Sequence, residues 1–113
     1  MEIIRTFDLL ERYRILFKKD NAFVSKKNGK WVNISSQEYI ENAYFFSYAL
    51  LAKGFKKGDK IATISNNRPE WNIIDMGMSM IGVVHVPLYT SLSSNEYEEI
   101  LMHSDSKFIF ISD

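Results

Sequence analysis

The sequence predicts an α/β fold: an N-terminal helix and β-hairpin, then a β-α-β-α-β half of a doubly wound parallel sheet, in an incomplete domain. Three observations carry this expectation. In the C-terminal half, the apolar runs 61–65, 83–88 and 108–112 alternate with two segments of helical period. Strands separated by helix-length crossovers are how a parallel sheet is written in sequence. Ahead of them, Asn28-Gly29 joins two short runs in the manner of a hairpin. The helical segments also carry start and stop residues at their ends. The chain divides accordingly into residues 1–58, with helix, hairpin and helix, and residues 59–113, with the parallel unit.

Composition narrows the class. At 113 residues the chain fits one domain or part of one. Hydrophobic residues make up 46%, too many for a disordered chain. The 14 basic and 14 acidic residues cancel, so no field favours nucleic acid. Cysteine is absent, which removes disulfides, thiol catalysis and thiolate metal sites together. No apolar run approaches the roughly 20 residues of a transmembrane helix. Glu2 and Asp8, close behind Met1, do not resemble a secretory signal. The expected location is the cytoplasm.

The first helix is expected over residues 6–19, capped by Thr6 or Asp8, with Phe7, Leu10, Tyr13 and Phe17 along one face. Its mixed-sign polar face favours packing on the protein body over a membrane-surface role. Runs 22–27 and 30–34 flank the Asn28-Gly29 turn, whose two positions require positive φ in a type I′ geometry. Phe23 and Ser25 then share a face with Val32 and Ile34, opposite Val24 and Trp31. Lys26, Lys27 and Lys30 at the tip read as a solvated turn before a phosphate patch.

Ser35 and Glu38 form a capping box that opens a helix running to about Lys53 and closing at Gly54. Ile40, Ala43, Tyr44, Leu50 and Leu51 are its expected stripe. Phe45, Phe46 and Tyr48 extend the apolar surface so far that cover on more than one side is expected. After the run 61–65, Asn67 is the expected N-cap of the next helix, with Pro69 in the first turn and Glu70 at the capping-box position. Trp71, Ile74, Met78 and Ile81 line one face, and Ile73 and Met80 make a second patch. The methionines read as core rather than acyl-pocket lining, and Gly77 as a point of close backbone approach.

The second strand is expected over 83–86, closed by Pro87. Ser93 and Glu96 box the last helix, and Tyr97, Ile100 and Leu101 face inward. Lys107 leads into the third strand. The chain then stops at Asp113 with no helix to cover that side, which reads as a cut. Two crossovers continuing in one direction would place both helices of the unit on the same sheet face.

A search for chemistry returns little. Gly77-x4-Gly82 has the spacing of a phosphate loop, but Val83-Val84 stand where Lys-Ser or Lys-Thr would be required. No G-x-G-x-x-G follows a strand. His85 and His103 lie on different elements without metal-ligand spacing. His85, expected in a central strand, reads as a hydrogen-bonded core residue. Glu98 and Glu99 are adjacent on a helix and diverge. Ser35, Ser36, Ser93 and Ser94 are explained as helix-start residues, and no serine elbow exists. Catalytic and metal residues are therefore expected to be none. Ligands of open α/β sheets bind beyond the carboxyl ends of strands. That rule marks the two loops at 66–68 and 89–91, with Asn66, Arg68, Tyr89 and Thr90 as substrate-binding candidates.

An ordered set of motifs adds a resemblance. It comprises Trp31-Val32-x-Ile34-Ser35, Gly54-Phe55-Lys56-Lys57-Gly58-Asp59-Lys60-Ile61-Ala62, Ser65-Asn66-Asn67-Arg68-Pro69-Glu70-Trp71 and Gly82-Val83-Val84-x-Val86-Pro87-Leu88-Tyr89. Together they resemble the start of the AMP-forming acyl-CoA synthetases. Asn-Arg-Pro-Glu-Trp with Val-Pro-Leu-Tyr downstream is most similar to the long-chain fatty acid branch. The resemblance implies the N-terminal portion of an adenylate-forming ligase that joins a fatty acid to ATP and passes the acyl group to coenzyme A, with Mg assisting. Thr90 and Val83 depart from the pattern, where the family often has Pro and Ala. The phosphate loop, adenine site, acyl pocket and mobile C-terminal domain of such enzymes follow later in the chain. The 113 residues alone are thus expected to be inactive and to bind none of these cofactors. The parent enzyme, if peripheral at the membrane, would be so without a transmembrane segment. Kindred readings are an aryl- or amino-acid-adenylating parent, or a stand-alone assembly module. Self-association through the open sheet or helix surface is expected.

Overall fold

The computed structural model describes residues 4–112, so the readings that involve Glu2 and Asp113 lie outside the described residues. The elements are α1 (Asp8–Leu16), β1 (Phe23–Lys27), β2 (Lys30–Ile34), α2 (Ser36–Ala52), β3 (Lys60–Ile64), α3 (Pro69–Met80), β4 (Val84–Leu88), α4 (Ser94–Ser104) and β5 (Phe108–Ile111). They form a two-stranded antiparallel hairpin and a separate parallel sheet of order β4-β3-β5.

α1 is shorter than its periodicity predicts, and neither Thr6 nor Asp8 caps it. The Asp8 carboxylate instead accepts the backbone N–H groups of Ile4 and Arg5 and pairs with the Arg5 guanidinium at 2.9 Å. It stabilises the turn before the helix. At the other end, Lys19 is held by two bonds to Ser36: its N–H donates to Ser36 Oγ at 3.0 Å, and its carbonyl accepts the Ser36 N–H at 2.8 Å. That bridge draws the chain out of helical geometry after Leu16. Leu10 is fully buried, whereas Phe17 is half exposed.

The hairpin follows the pattern closely. Asn28 and Gly29 have φ of 51° and 78°, and Phe23 pairs with Ile34 and Ser25 with Val32. Lys27 reaches Glu70 of α3 at 3.5 Å, and Lys26 lies over the Trp31 ring. α2 begins with the Ser35–Glu38 capping box and ends before Gly54, whose φ is 92°. Its buried face is Tyr39, Ile40, Ala43, Ser47 and Leu50. Tyr44, Phe45, Tyr48 and Leu51 point outward, so the expected cover on a second side is absent among the described residues.

α2 and α3 pack together over one face of the sheet. One core cluster joins Leu10, Tyr39, Ile40, Ala43 and Met76, with Phe7, Tyr13 and Phe23 against it. A second joins Leu50, Ile61, Met78 and Val83, with Phe46, Phe55 and Phe110. The methionines of α3 are core residues, as their pattern predicts. Gly77 is where the helices approach most closely: a Cβ there would lie 2.7 Å from Phe46 Cδ1 and 2.9 Å from the Ala43 carbonyl oxygen.

Three strand expectations are corrected. β4 continues through Pro87, which pairs with Thr63; β4 has a neighbour on one side only, so the missing N–H is tolerated. His85 is consequently on an outer strand of the described sheet, and β3 is its centre. The strand order also reverses direction, leaving β3 for β4 and returning past it to β5. With right-handed crossovers, α3 and α4 then belong on opposite faces, not the same one. Complete burial of Ala62, on the face opposite Ile61, agrees with cover from both sides.

Candidate functional site

The reversal of strand order has a chemical consequence. The loop leaving β3 turns towards one face and the loop leaving β4 towards the other, so a crevice opens between the carboxyl ends of adjacent strands. It has a volume of about 500 Å³ and is lined by Ser65, Asn66, Asn67, Trp71, Pro87, Leu88, Tyr89 and Thr90. Asn66, Tyr89 and Thr90, three of the four loop candidates, meet here. Arg68 lines two neighbouring clefts instead, one shared with the hairpin and one with the end of β5.

Each wall has a local cause. The Asn66 N–H donates to Ser112 Oγ at 3.3 Å, and the Ser112 N–H donates to the Ile64 carbonyl at 2.9 Å, tying the β3 loop to the end of β5. Arg68, extended at φ −156° and ψ 158°, is the N-cap of α3, with Pro69 at the first helical position. Pro69 disfavours helical backbone at the residue before it, so Arg68 stays outside the helix. Asn67 is one residue too early to cap, and the expected capping box with Glu70 does not form. On the other wall, the Tyr97 hydroxyl donates to the Tyr89 carbonyl at 2.6 Å, and the Ser93–Glu96 box fixes the start of α4. The Tyr89 side chain is 80% exposed over the crevice mouth.

Beneath Trp71 lies a chain of polar side chains. His85 Nδ1 is 2.8 Å from Asp75 Oδ1, and His85 Nε2 is 2.7 Å from Thr63 Oγ1. Trp71 stacks against the imidazole with centroids 4.9 Å apart. A carboxylate can only accept, so Nδ1 carries the proton shared with Asp75. The connectivity resembles a nucleophile–base–acid relay, but Thr63 is 3% exposed on the sheet face beneath α3. Its hydroxyl is out of reach of a substrate, and the relay is structural. It ties three elements together under the crevice and holds Trp71. The core reading of His85 agrees with this geometry. Asp75 and Trp71 had no role in the sequence reading; their i, i+4 spacing on α3, with a carboxylate on an otherwise apolar face, was the available signal.

The remaining candidates stay apart. His103 and the carboxylates of Glu98 and Glu99 are exposed on α4, away from the crevice. Among the described residues no group of three His, Asp or Glu side chains could hold a metal ion. No helix among them is long and apolar enough to cross a membrane.

Comparison with known proteins bears on what this crevice serves. Residues 16–113 match the family described as AMP-binding enzyme. A fatty acyl-CoA synthetase A from Dictyostelium discoideum is 34% identical over 108 residues, covering 89% of the chain and 16% of that protein. A 4-hydroxybutyrate–CoA ligase from Metallosphaera sedula is also 34% identical, covering 92% of the chain and 18% of that protein. The chain therefore spans less than a fifth of the length of these relatives. Among solved structures, a protein described as a putative long-chain-fatty-acid CoA ligase from Rhodopseudomonas palustris superposes with a TM-score of 0.84 at 23% identity. That match covers 96% of the chain and 26% of the other, and shows the shared fold.

Proposed function

The chain belongs to the AMP-binding enzyme family, and from that premise we propose that residues 1–113 are the opening part of the large domain of an AMP-forming, long-chain acyl-CoA ligase. In such a reaction a carboxylate attacks the α-phosphorus of ATP and pyrophosphate leaves. The thiol of coenzyme A then takes the acyl group and AMP leaves. ATP, when bound, supplies the activated phosphorus. The observation that carries the proposal is the convergence of the loops after β3 and β4 on one crevice, in a chain of this family.

Within that reading, Asn66, Arg68, Tyr89 and Thr90 would contact substrate or nucleotide from the wall of the crevice. The amide, hydroxyl and guanidinium groups suit hydrogen bonding to phosphate or ribose oxygens. Magnesium does not fit the described residues, which offer no ligand set. No residue of the chain is assigned to coenzyme A. The chain supplies no general base and no nucleophile at the crevice, so its part is to shape and orient. The long-chain preference is supported by the fatty acyl-CoA synthetase relative. A short hydroxy acid is the second reading, since the 4-hydroxybutyrate–CoA ligase is equally similar. Aryl or amino acids, or a stand-alone assembly role, remain readings with no specific observation in favour.

The test is pyrophosphate release from ATP by the 113-residue chain and by the longest product of its reading frame, with palmitate, 4-hydroxybutyrate, benzoate and an amino acid. The longer product is expected to respond best to palmitate, and the 113 residues alone to none. Acyl-adenylate formed by the 113 residues alone would overturn the proposal. So would a termination codon directly after Asp113, which would favour the assembly module.

A further inference from the structure

A second cavity lies on the far side of α3 from the relay, between α1, the hairpin, α2 and α3. It has a volume of about 500 Å³, within the range of small-molecule sites. Tyr13, Phe17, Ala22, Phe23, Tyr39 and Met76 make most of its wall, with polar atoms contributed by Lys19, Ser36 and Asn72. None of these residues lines the crevice between β3 and β4.

The wall is rigid where it is apolar. Tyr39 is 6% exposed and meets Phe23 edge-on with centroids 4.9 Å apart, while Met76 belongs to the same core cluster. The polar groups are uncommitted. Neither the Tyr39 hydroxyl nor the Asn72 amide has a side-chain hydrogen bond among the described residues. Burial pushes the Tyr39 phenol up to about 12, with Tyr13 and Asp75 acting in the same direction, so it remains a donor at neutral pH. Ser36 Oγ accepts the Lys19 N–H and keeps its own proton to offer.

The rim is basic. The double bridge to Ser36 fixes the Lys19 backbone at the mouth, while its exposed ammonium stays free of ion pairs among the described residues. An adjoining cleft that shares Lys19 and Ser36 adds Lys18 and Arg14, against the single carboxylate of Asp20. Arg14 is paired with Glu11 at 2.6 Å, so the available positive charge is that of Lys18 and Lys19. An apolar chamber with hydroxyl donors and a cationic rim is complementary to one kind of molecule: an alkyl chain ending in an anion.

We propose that this cavity binds a single-chain carboxylate, with the alkyl tail against Phe23, Tyr39 and Met76 and the head at Lys19 and Ser36. The site is separate from the crevice between β3 and β4, and stands whether or not the reading of that crevice holds. It performs no bond-making step; its role is to bind.

Methionine methyl signals provide the test. The chain has five methionines, among which Met76 lines the cavity, Met78 is buried in the other core cluster and Met102 is exposed on α4. The 113-residue chain labelled at its methionine methyls is titrated with dodecanoate below its micelle concentration, and in parallel with dodecanol. Dodecanoate is expected to shift Met76 saturably and to leave Met78 and Met102 in place. Lys19→Glu, a surface change, should weaken dodecanoate about tenfold and leave dodecanol within about twofold. Ala22→Trp, which fills the mouth, should abolish the Met76 response to both. The proposal is overturned if Met76 does not move saturably, or if Lys19→Glu leaves the affinity for dodecanoate unchanged. Binding to anionic vesicles in the absence of any Met76 response would also overturn it and assign the basic rim to a membrane surface.

Discussion

Gly77 shows how much of the core rests on one missing side chain. α2 and α3 meet there so closely that a β-carbon would contact the Ala43 carbonyl oxygen at 2.9 Å, and backbone cannot rotate away as a side chain can. Gly77→Ala would ordinarily favour a helix by roughly 1 kcal/mol. Here overpacking should outweigh it, and a net loss of about 1–3 kcal/mol is expected in denaturant unfolding. A stabilised variant would mean that the helices separate at little cost. His85 illustrates the other residue-scale lesson. Its type and strand were legible, but its partners, Asp75 and Thr63, are 10 and 22 residues away in sequence. Only the packing of α3 over the sheet brings them together.

At the scale of elements, helix starts divide into two kinds. α2 and α4 open with reciprocal capping boxes, at Ser35–Glu38 and Ser93–Glu96, and both were legible because four consecutive residues contain the whole device. α3 opens through Pro69 with Arg68 as N-cap and no side-chain cap, although Asn67 offered the more conventional signal. Ser35→Ala should therefore cost about 1 kcal/mol of stability, whereas Asn67→Ala should stay within about 0.5 kcal/mol. Comparable losses in thermal unfolding would restore Asn67 as a cap. α1 departs for a different reason. Its periodicity continues to Phe17, but the Lys19–Ser36 bridge is a long-range contact that local pattern cannot register. The same bridge positions Lys19 on the rim of the second cavity. The turn at Lys56–Asp59 is also tied from a distance. The Asp59 carboxylate accepts the Lys56 N–H at 3.0 Å and lies 3.3 Å from Lys107, and these groups hold it below the usual carboxylate range.

At the scale of the molecule, large apolar side chains remain uncovered. Tyr44, Phe45, Tyr48 and Leu51 form an outward stripe on α2, while Phe108 and Ile111 are exposed on β5, which has a paired neighbour on one side only. Open strand edges and apolar stripes of this kind favour association with further protein. The 113 residues alone are expected to self-associate over the micromolar range in sedimentation velocity; a well-behaved monomer throughout would contradict this. The relatives are more than five times longer, and in the proposed parent the same surfaces are candidates for cover by the rest of the enzyme.

The sequence by itself determined what depends on near neighbours. The Asn28-Gly29 turn, the two capping boxes, the glycine end of α2 and the alternation of strand and helix are each encoded within a few residues, because backbone conformation and capping are local. Its ordered motifs also pointed to the family. Tertiary structure alone decided the strand order β4-β3-β5, and with it the opposite faces of α3 and α4 and the crevice between their loops. It likewise decided which side of α2 is buried and that a cavity opens behind Tyr39. The physical reason is common to all of these. Pairing and burial are settled between segments far apart in the chain, where an apolar pattern states that a face must be covered but not by what.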